Sequence, residues 1–192
     1  MTKSLVELLE VDQEKYLEYK IFCDLDGVLT DFEGRFMSKL KEEGPKYYSK
    51  SELSQITTPE EFEKKFGKEE FWKFIDQYVG VGFWVGMEWM KGGKDLWNYI
   101  KQYNPTILSA PSRDPSSRLG KRLWVKNQIS SQPKLIFAYS TEKQNYAAPN
   151  HILIDDKKSN IEQWRSAGGI GIRCVYGNIQ PVIQELKQLL EK

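Results

Sequence analysis

The stretch Ile21-Phe22-Cys23-Asp24-Leu25-Asp26-Gly27-Val28-Leu29-Thr30-Asp31-Phe32 constrains this chain more than any other. A short apolar run stops at a carboxylate, a second carboxylate follows two residues later, and a glycine comes next. Such a run reads as a buried strand, and Gly27 as the turn that closes it. The acids then lie at the C-terminal end of a strand, where open α/β sheets bind their ligands. Carboxylates this close repel one another and call for a cation or a proton between them. A metal site with a nucleophilic aspartate answers that need; a solvated acidic loop is the plain alternative.

The rest of the chain alternates short apolar runs with amphipathic segments. Strands are expected near residues 20–24, 105–109, 135–138, 152–154 and 170–175. Helical spacing appears at Leu96, Trp97 and Ile100, from Asp114-Pro115 to Ile129, at Ile161 and Trp164, and from Asn178 through Val182, Leu186 and Leu189. A short helix is also expected over residues 4–12. This alternation predicts an α/β fold: a Rossmann-like core with a central parallel sheet flanked by helices. Right-handed crossovers bring every strand C-terminus to one edge, so Asp24, Ser109, Lys143 and Asp155 can meet there.

Residues 33–88 have a different character. They are rich in Lys, Glu and aromatics and contain no good strand. Thr58-Pro59-Glu60-Glu61 offers an N-cap, a first-turn proline and a capping-box glutamate, while Phe71, Phe74, Ile75 and Tyr78 mark a second helix. The expectation is a small helical cap over 33–88, inserted after the first strand of a core formed by 1–32 and 89–192.

The chain's 192 residues suffice for one such domain with its insertion. A balance of 28 basic and 27 acidic residues gives a net charge of +1 and no global field toward nucleic acid or anionic membranes. No apolar stretch reaches the roughly 20 residues of a membrane span. No signal-peptide pattern follows Met1, and the two cysteines, Cys23 and Cys174, sit in apolar runs as free thiols. A cytoplasmic protein without membrane or stable nucleic-acid partners is expected; a homodimer is compatible with the sequence.

The edge residues suggest a reaction. Asp24 and Asp155 are hard oxygen ligands suited to Mg2+. Asp24 can attack phosphorus, Asp26 can protonate the leaving oxygen and then activate water, Ser109 can donate to a phosphate oxygen, and Lys143 supplies a positive charge. Lys134 competes for that last role but precedes its strand.

Asp24-Leu25-Asp26-Gly27-Val28-Leu29-Thr30-Asp31 resembles the first motif of the haloacid dehalogenase superfamily, Ile107-Leu108-Ser109 its second, Lys143 its third and Ile152-Leu153-Ile154-Asp155-Asp156 its fourth. Within it, Asp31-Phe32-Glu33, Gly82-Phe83-Trp84 with Met87-Glu88 and Gly92-Gly93, Ser109-Ala110-Pro111, Lys121 before Trp124-Val125, and Asp155-Asp156-Lys157 resemble the cytosolic type C 5'(3')-deoxyribonucleotidases. The resemblance implies an aspartyl-phosphate on Asp24, with Asp26 as acid and base. It implies Mg2+ on the Asp24 and Asp155 carboxylates and the Asp26 carbonyl, with Asp156 ordering its waters. Ser109, Ala110, Arg113, Lys121 and Lys143 would surround the phosphate. Phe32 and cap aromatics, Phe83 and Trp84 foremost, would hold the nucleoside. Relatives carry an arginine two residues before the third-motif lysine; here Thr141 stands there. The implied substrate is a (deoxy)nucleoside monophosphate. A nucleic-acid 3'-phosphatase, another small-molecule phosphomonoesterase and a nucleotide-binding module that keeps the fold are the rival readings. His151, Trp124 and Trp164 are read as structural.

Overall fold

The computed structural model describes residues 19–191, so the helix expected over 4–12 lies outside the described residues. Five strands form one parallel sheet: β1 (Lys20–Cys23), β2 (Thr106–Ser109), β3 (Leu135–Phe137), β4 (His151–Asp155) and β5 (Ile170–Arg173), in the order β3-β2-β1-β4-β5. The first strand is therefore central, with β2 and β4 on its flanks.

Side chains of a strand alternate between the two faces of its sheet. Ile21 and Cys23 join one buried cluster with Ile107, Ile152, Ile154 and Ile172, whereas Phe22, Leu108 and Leu153 join a second cluster with Ile161 and Trp164. The first face is covered by α6 (Gly93–Ile100), α7 (Pro115–Gln128) and α9 (Ile179–Leu190), whose Leu96, Trp97, Ile100, Trp124, Val182 and Leu186 belong to the same cluster. The second is covered by α8 (Lys158–Ser166). Both faces are buried, which is why the strands are continuous apolar runs in the sequence. Trp124 and Trp164 are core residues, as expected, and their indole N–H groups donate to Met87 O and His151 O.

Between β1 and α6 the chain makes α1 (Phe32–Glu43), α2 (Lys50–Leu53), α3 (Pro59–Phe66), α4 (Lys68–Lys73) and α5 (Val81–Val85). It leaves and returns side by side: Asp31 N donates to Glu88 O and Met90 N to Leu29 O. Phe36, Phe62, Phe71 and Phe74 form an aromatic kernel, with Phe36 5.0 Å from Phe71 and 5.3 Å from Phe62. Phe32, Phe36 and Leu40 recur every fourth residue along α1, the spacing of a helix face.

Local details differ from expectation at three places. The helix marked by Phe71, Phe74, Ile75 and Tyr78 is α-helical only through Lys73 and continues as a wider π-helical turn, Phe74–Val79. Thr58 does cap α3, accepting from Glu61 N, but the Glu61 carboxylate takes the N–H and hydroxyl of Thr57, so the reciprocal contact is displaced by one residue. Asn178, a residue type expected to cap the last helix, precedes α9 without a side-chain capping bond among the described residues.

Candidate active site

Backbone bonds carry the pairing of β1, β3 and β5 one residue past their ends at one edge of the sheet. Asp24 N donates to Ile154 O, Ala138 N to Ser109 O, and Cys174 N to Asp155 O. These bonds fix Asp24, Ser109 and Asp155 on adjacent strand ends. Gly27 then turns the chain back at φ +77°, a left-handed conformation that favours glycine. A Cβ at Gly27 would also stand 2.6 Å from Asp156 Oδ2. Thr30 closes the turn: its hydroxyl donates to Leu25 O at 3.1 Å and contacts Asp26 Oδ1 at 3.4 Å.

The two acids of the opening stretch have separate surroundings. Asp24 is buried; its Oδ1 accepts from Leu25 N at 2.8 Å and its Oδ2 lies 2.8 Å from Lys143 Nζ. Lys143 is only 1 % exposed and bridges to Asp155 Oδ2 at 2.7 Å. Asp26 points the other way, with Oδ2 2.6 Å from Lys121 Nζ. Lys121 is fully buried; its ammonium also donates to Ser109 Oγ at 2.9 Å and Ala110 O at 2.6 Å, and lies 4.9 Å from the centre of the Trp84 ring. Each acid thus has its own buried lysine, and Ser109 sits on the Asp26 side.

Charge follows geometry. Burial alone would raise the Asp24 carboxyl, but the Lys143 ammonium holds it below its ordinary value. Burial alone would discharge Lys143; Asp24 and Asp155 outweigh it and raise its pKa. Asp155 is raised by burial and by Asp24, although Lys143 opposes both. Asp156 is pushed up to about 7 by burial, then by Asp24 and Asp155. One lysine does not neutralise three acids.

Asp24, Asp155 and Asp156 can each place an oxygen within 4.8 Å of the others. Asp156 Oδ1 is buried and has no hydrogen-bond partner among the described residues. An all-carboxylate donor set with an unpartnered oxygen and surplus negative charge fits a hard divalent cation such as Mg2+. Asp155 is tightly held: Lys157 N donates to Oδ1 at 2.9 Å, and Asn160 Nδ2 reaches Oδ1 at 3.0 Å and Oδ2 at 2.9 Å.

The remaining expected residues divide. Phe32 is half-buried, 5.3 Å from the Phe83 ring and 6.0 Å from Trp84. Phe83 and Trp84 are buried, Trp84 to 1 % exposure. Arg113 is exposed and makes no ion pair among the described residues. Lys134 lies before β3, where its carbonyl accepts from Ile107 N. His151 Nδ1 contacts Tyr146 O at 2.6 Å, a structural pairing. Sequence reasoning missed Asn160 and Thr30. The signal for Asn160 was available: it lies in the first turn of a helix that starts just beyond the β4 acids.

Solved structures share this architecture. A predicted phosphatase from Clostridium acetobutylicum is 16% identical, with a TM-score of 0.58 over 91% of this chain and 99% of that one. A HAD-superfamily hydrolase from Ehrlichia chaffeensis is 16% identical, with a TM-score of 0.53 over 89% and 97%. A dehalogenase captured with an intermediate is 13% identical, with a TM-score of 0.55 over 91% and 97%. At such identities the likeness concerns the fold. No curated protein sequence matches the chain at a significant level. The five-stranded parallel sheet flanked by helices is the fold of these haloacid-dehalogenase-type neighbours. More narrowly, a family model described as 5' nucleotidase, deoxy (pyrimidine), cytosolic type C matches residues 18–179, and the chain belongs to that family. It is a phosphatase of this superfamily. Among the described residues no helix is long and apolar enough to cross a membrane.

Proposed function

We propose that the chain is a magnesium-dependent nucleotidase that hydrolyses a deoxyribonucleoside monophosphate through an aspartyl-phosphate on Asp24. The observation that carries this reading is the division of the two acids: Asp24 with Lys143 and the carboxylate cluster, Asp26 with Lys121 and Ser109. Two carboxylates with different partners can take different roles in one reaction.

Asp24, kept ionised by Lys143, attacks phosphorus; the bond to the ester oxygen breaks as the bond to the Asp24 oxygen forms. Asp26 gives a proton to the departing alkoxide and later takes one from the water that cleaves the aspartyl-phosphate. Ser109 Oγ, Lys121 Nζ and Lys143 Nζ surround the phosphate oxygens, and the exposed Arg113 adds a further positive charge. Mg2+, held by Asp24, Asp155 and the Asp26 carbonyl with Asp156 on its waters, would offset the repulsion between Asp24 and the incoming phosphate. Residues 33–88 act as a cap that excludes water from the reacting groups, and half-buried Phe32 offers an aromatic face to the nucleoside. Two buried free thiols, Cys23 and Cys174, suit a reducing cytoplasm.

A phosphate-release panel tests this reading. Deoxyuridine and thymidine 5'- and 3'-monophosphates are expected to be the best substrates, with chelation of magnesium abolishing release. A preference of about tenfold or more for sugar phosphates or a 3'-phosphorylated oligonucleotide would overturn the substrate assignment.

A further inference from the structure

Asp76 plays no part in the chemistry above, and no ion pair among the described residues includes it. It lies in the π-helical turn Phe74–Val79, an irregularity that is frequent at functional sites. Its Oδ1 accepts from Trp84 Nε1 at 3.3 Å and from Ser116 Oγ, in the first turn of α7, at 3.4 Å. The Ser112 hydroxyl, in the loop after β2, faces it as well. One carboxylate thus joins the inserted segment to the core helix that carries Lys121.

Trp84 links Asp76 to the site. Its N–H points at Asp76, and its ring face stands 4.9 Å from Lys121 Nζ. Gly120, beside Lys121, leaves room for this approach, since a Cβ there would overlap Trp84 Cβ. An indole tied by its N–H cannot rotate away from the ammonium, and donation to an anion increases the negative charge on the ring face that attracts the cation. With Trp84 at 1 % exposure, that face is occupied by the lysine and is closed to a nucleobase.

We propose that Asp76 is a positioning residue: by holding Trp84 it keeps the indole behind Lys121 and the Lys121 ammonium directed at Asp26, Ser109 and the phosphate. This rests on the reading of Lys121 as a phosphate ligand. Because the lysine contacts the phosphoryl group, the effect falls equally on all phosphomonoesters.

The test is a mutant cycle read as kcat/KM on p-nitrophenyl phosphate and on deoxyuridine monophosphate, with magnesium, well below the Tm of each variant. Asp76→Ala loses about tenfold on both substrates, the value of one hydrogen bond to a charged group. Asp76→Asn, whose amide oxygen can still accept, recovers to within about threefold of the parent. Trp84→Phe falls about as far as Asp76→Ala, and the double variant falls no further than either. Parental activity in Asp76→Ala, a double variant that loses the product of both factors, or a loss confined to the nucleotide would each overturn the proposal. Lys121→Met separates the premise: parental turnover there would sink the phosphate-ligand reading itself. An enzyme active on the aryl phosphate but not on the nucleotide would sink the substrate assignment and leave the Asp76 result standing.

Discussion

The strand edge and the inserted helices meet the same physical problem in opposite ways. At the edge, polar groups are buried and each is held by charge: Lys143 between Asp24 and Asp155, Lys121 between Asp26 and Ser109. In the insertion, burial is aromatic: Phe36, Phe62, Phe71 and Phe74 contact one another, and polar contacts lie mostly at the surface. The edge is specified by a few irreplaceable groups at fixed spacing. The insertion is specified by volume and shape, which many sequences can supply. The buried charged groups are therefore concentrated in the first region, and the second reaches them through Trp84, whose ring lies against Lys121.

Substitutions should separate the two regions. The largest expected effect is at Asp24: Asp24→Asn removes the nucleophile and should lower phosphate release by about 10⁴-fold or more, with the melting curve little changed. Lys143→Met leaves two buried carboxylates facing each other and should destabilise by about 3–5 kcal/mol, read by urea unfolding, besides losing activity. Phe74→Ala should cost a similar 3–5 kcal/mol through the cavity it leaves. If the comparison holds, its remaining folded fraction keeps its turnover number; a fall in kcat per folded molecule would show that the insertion shares in the chemistry.

Magnesium and pH probe the edge more gently. Without a cation, folded Asp156 keeps its proton up to about 7, whereas its ordinary value is 3.8. The unfolded chain thus loses that proton first, and stability falls as pH rises from 3.8 through about 7. Asp155 acts in the same direction, while Asp24, held low, stabilises above its ordinary value. Chelated protein should therefore show a Tm that declines from pH 5 to pH 8 (about three pH units), and magnesium should raise Tm most at the upper end, where its ligands are ionised. Equal magnesium shifts at both ends would count against the carboxylate cluster as the metal site. The smallest effect is expected at Phe32: Phe32→Ala should raise KM for a nucleotide about tenfold and leave an aryl phosphate nearly unchanged, the loss of one aromatic face.

Much of the edge was legible in the sequence, because an apolar run that stops at an acid is a local pattern. Asp24, Asp155 and the five strands each announce themselves within a few residues. Their lysine partners, Lys143 and Lys121, follow from strand order and resemblance, but their burial and pairing were not legible. Lys143 lies in Ser140-Thr141-Glu142-Lys143-Gln144-Asn145, which reads as solvated, and a fully buried Lys121 runs against the usual exposure of lysine. Both are buried because the fold brings acids to them from distant segments. Asn160, Thr30 and Asp76 act through contacts that periodicity does not encode. The insertion was legible as helical and aromatic, but the π-helical turn, the displaced contact at Glu61 and the burial of Trp84 depend on packing across the whole region.

The central claim is that Asp24 carries the phosphoryl group. Acid quenching during turnover of a phosphorus-labelled nucleotide, followed by peptide mapping, tests it most directly. The expected result is label on the peptide containing Asp24, absent from Asp24→Asn and discharged by a chase with unlabelled substrate. Steady turnover with no label on that peptide, or label on a different residue, would contradict it.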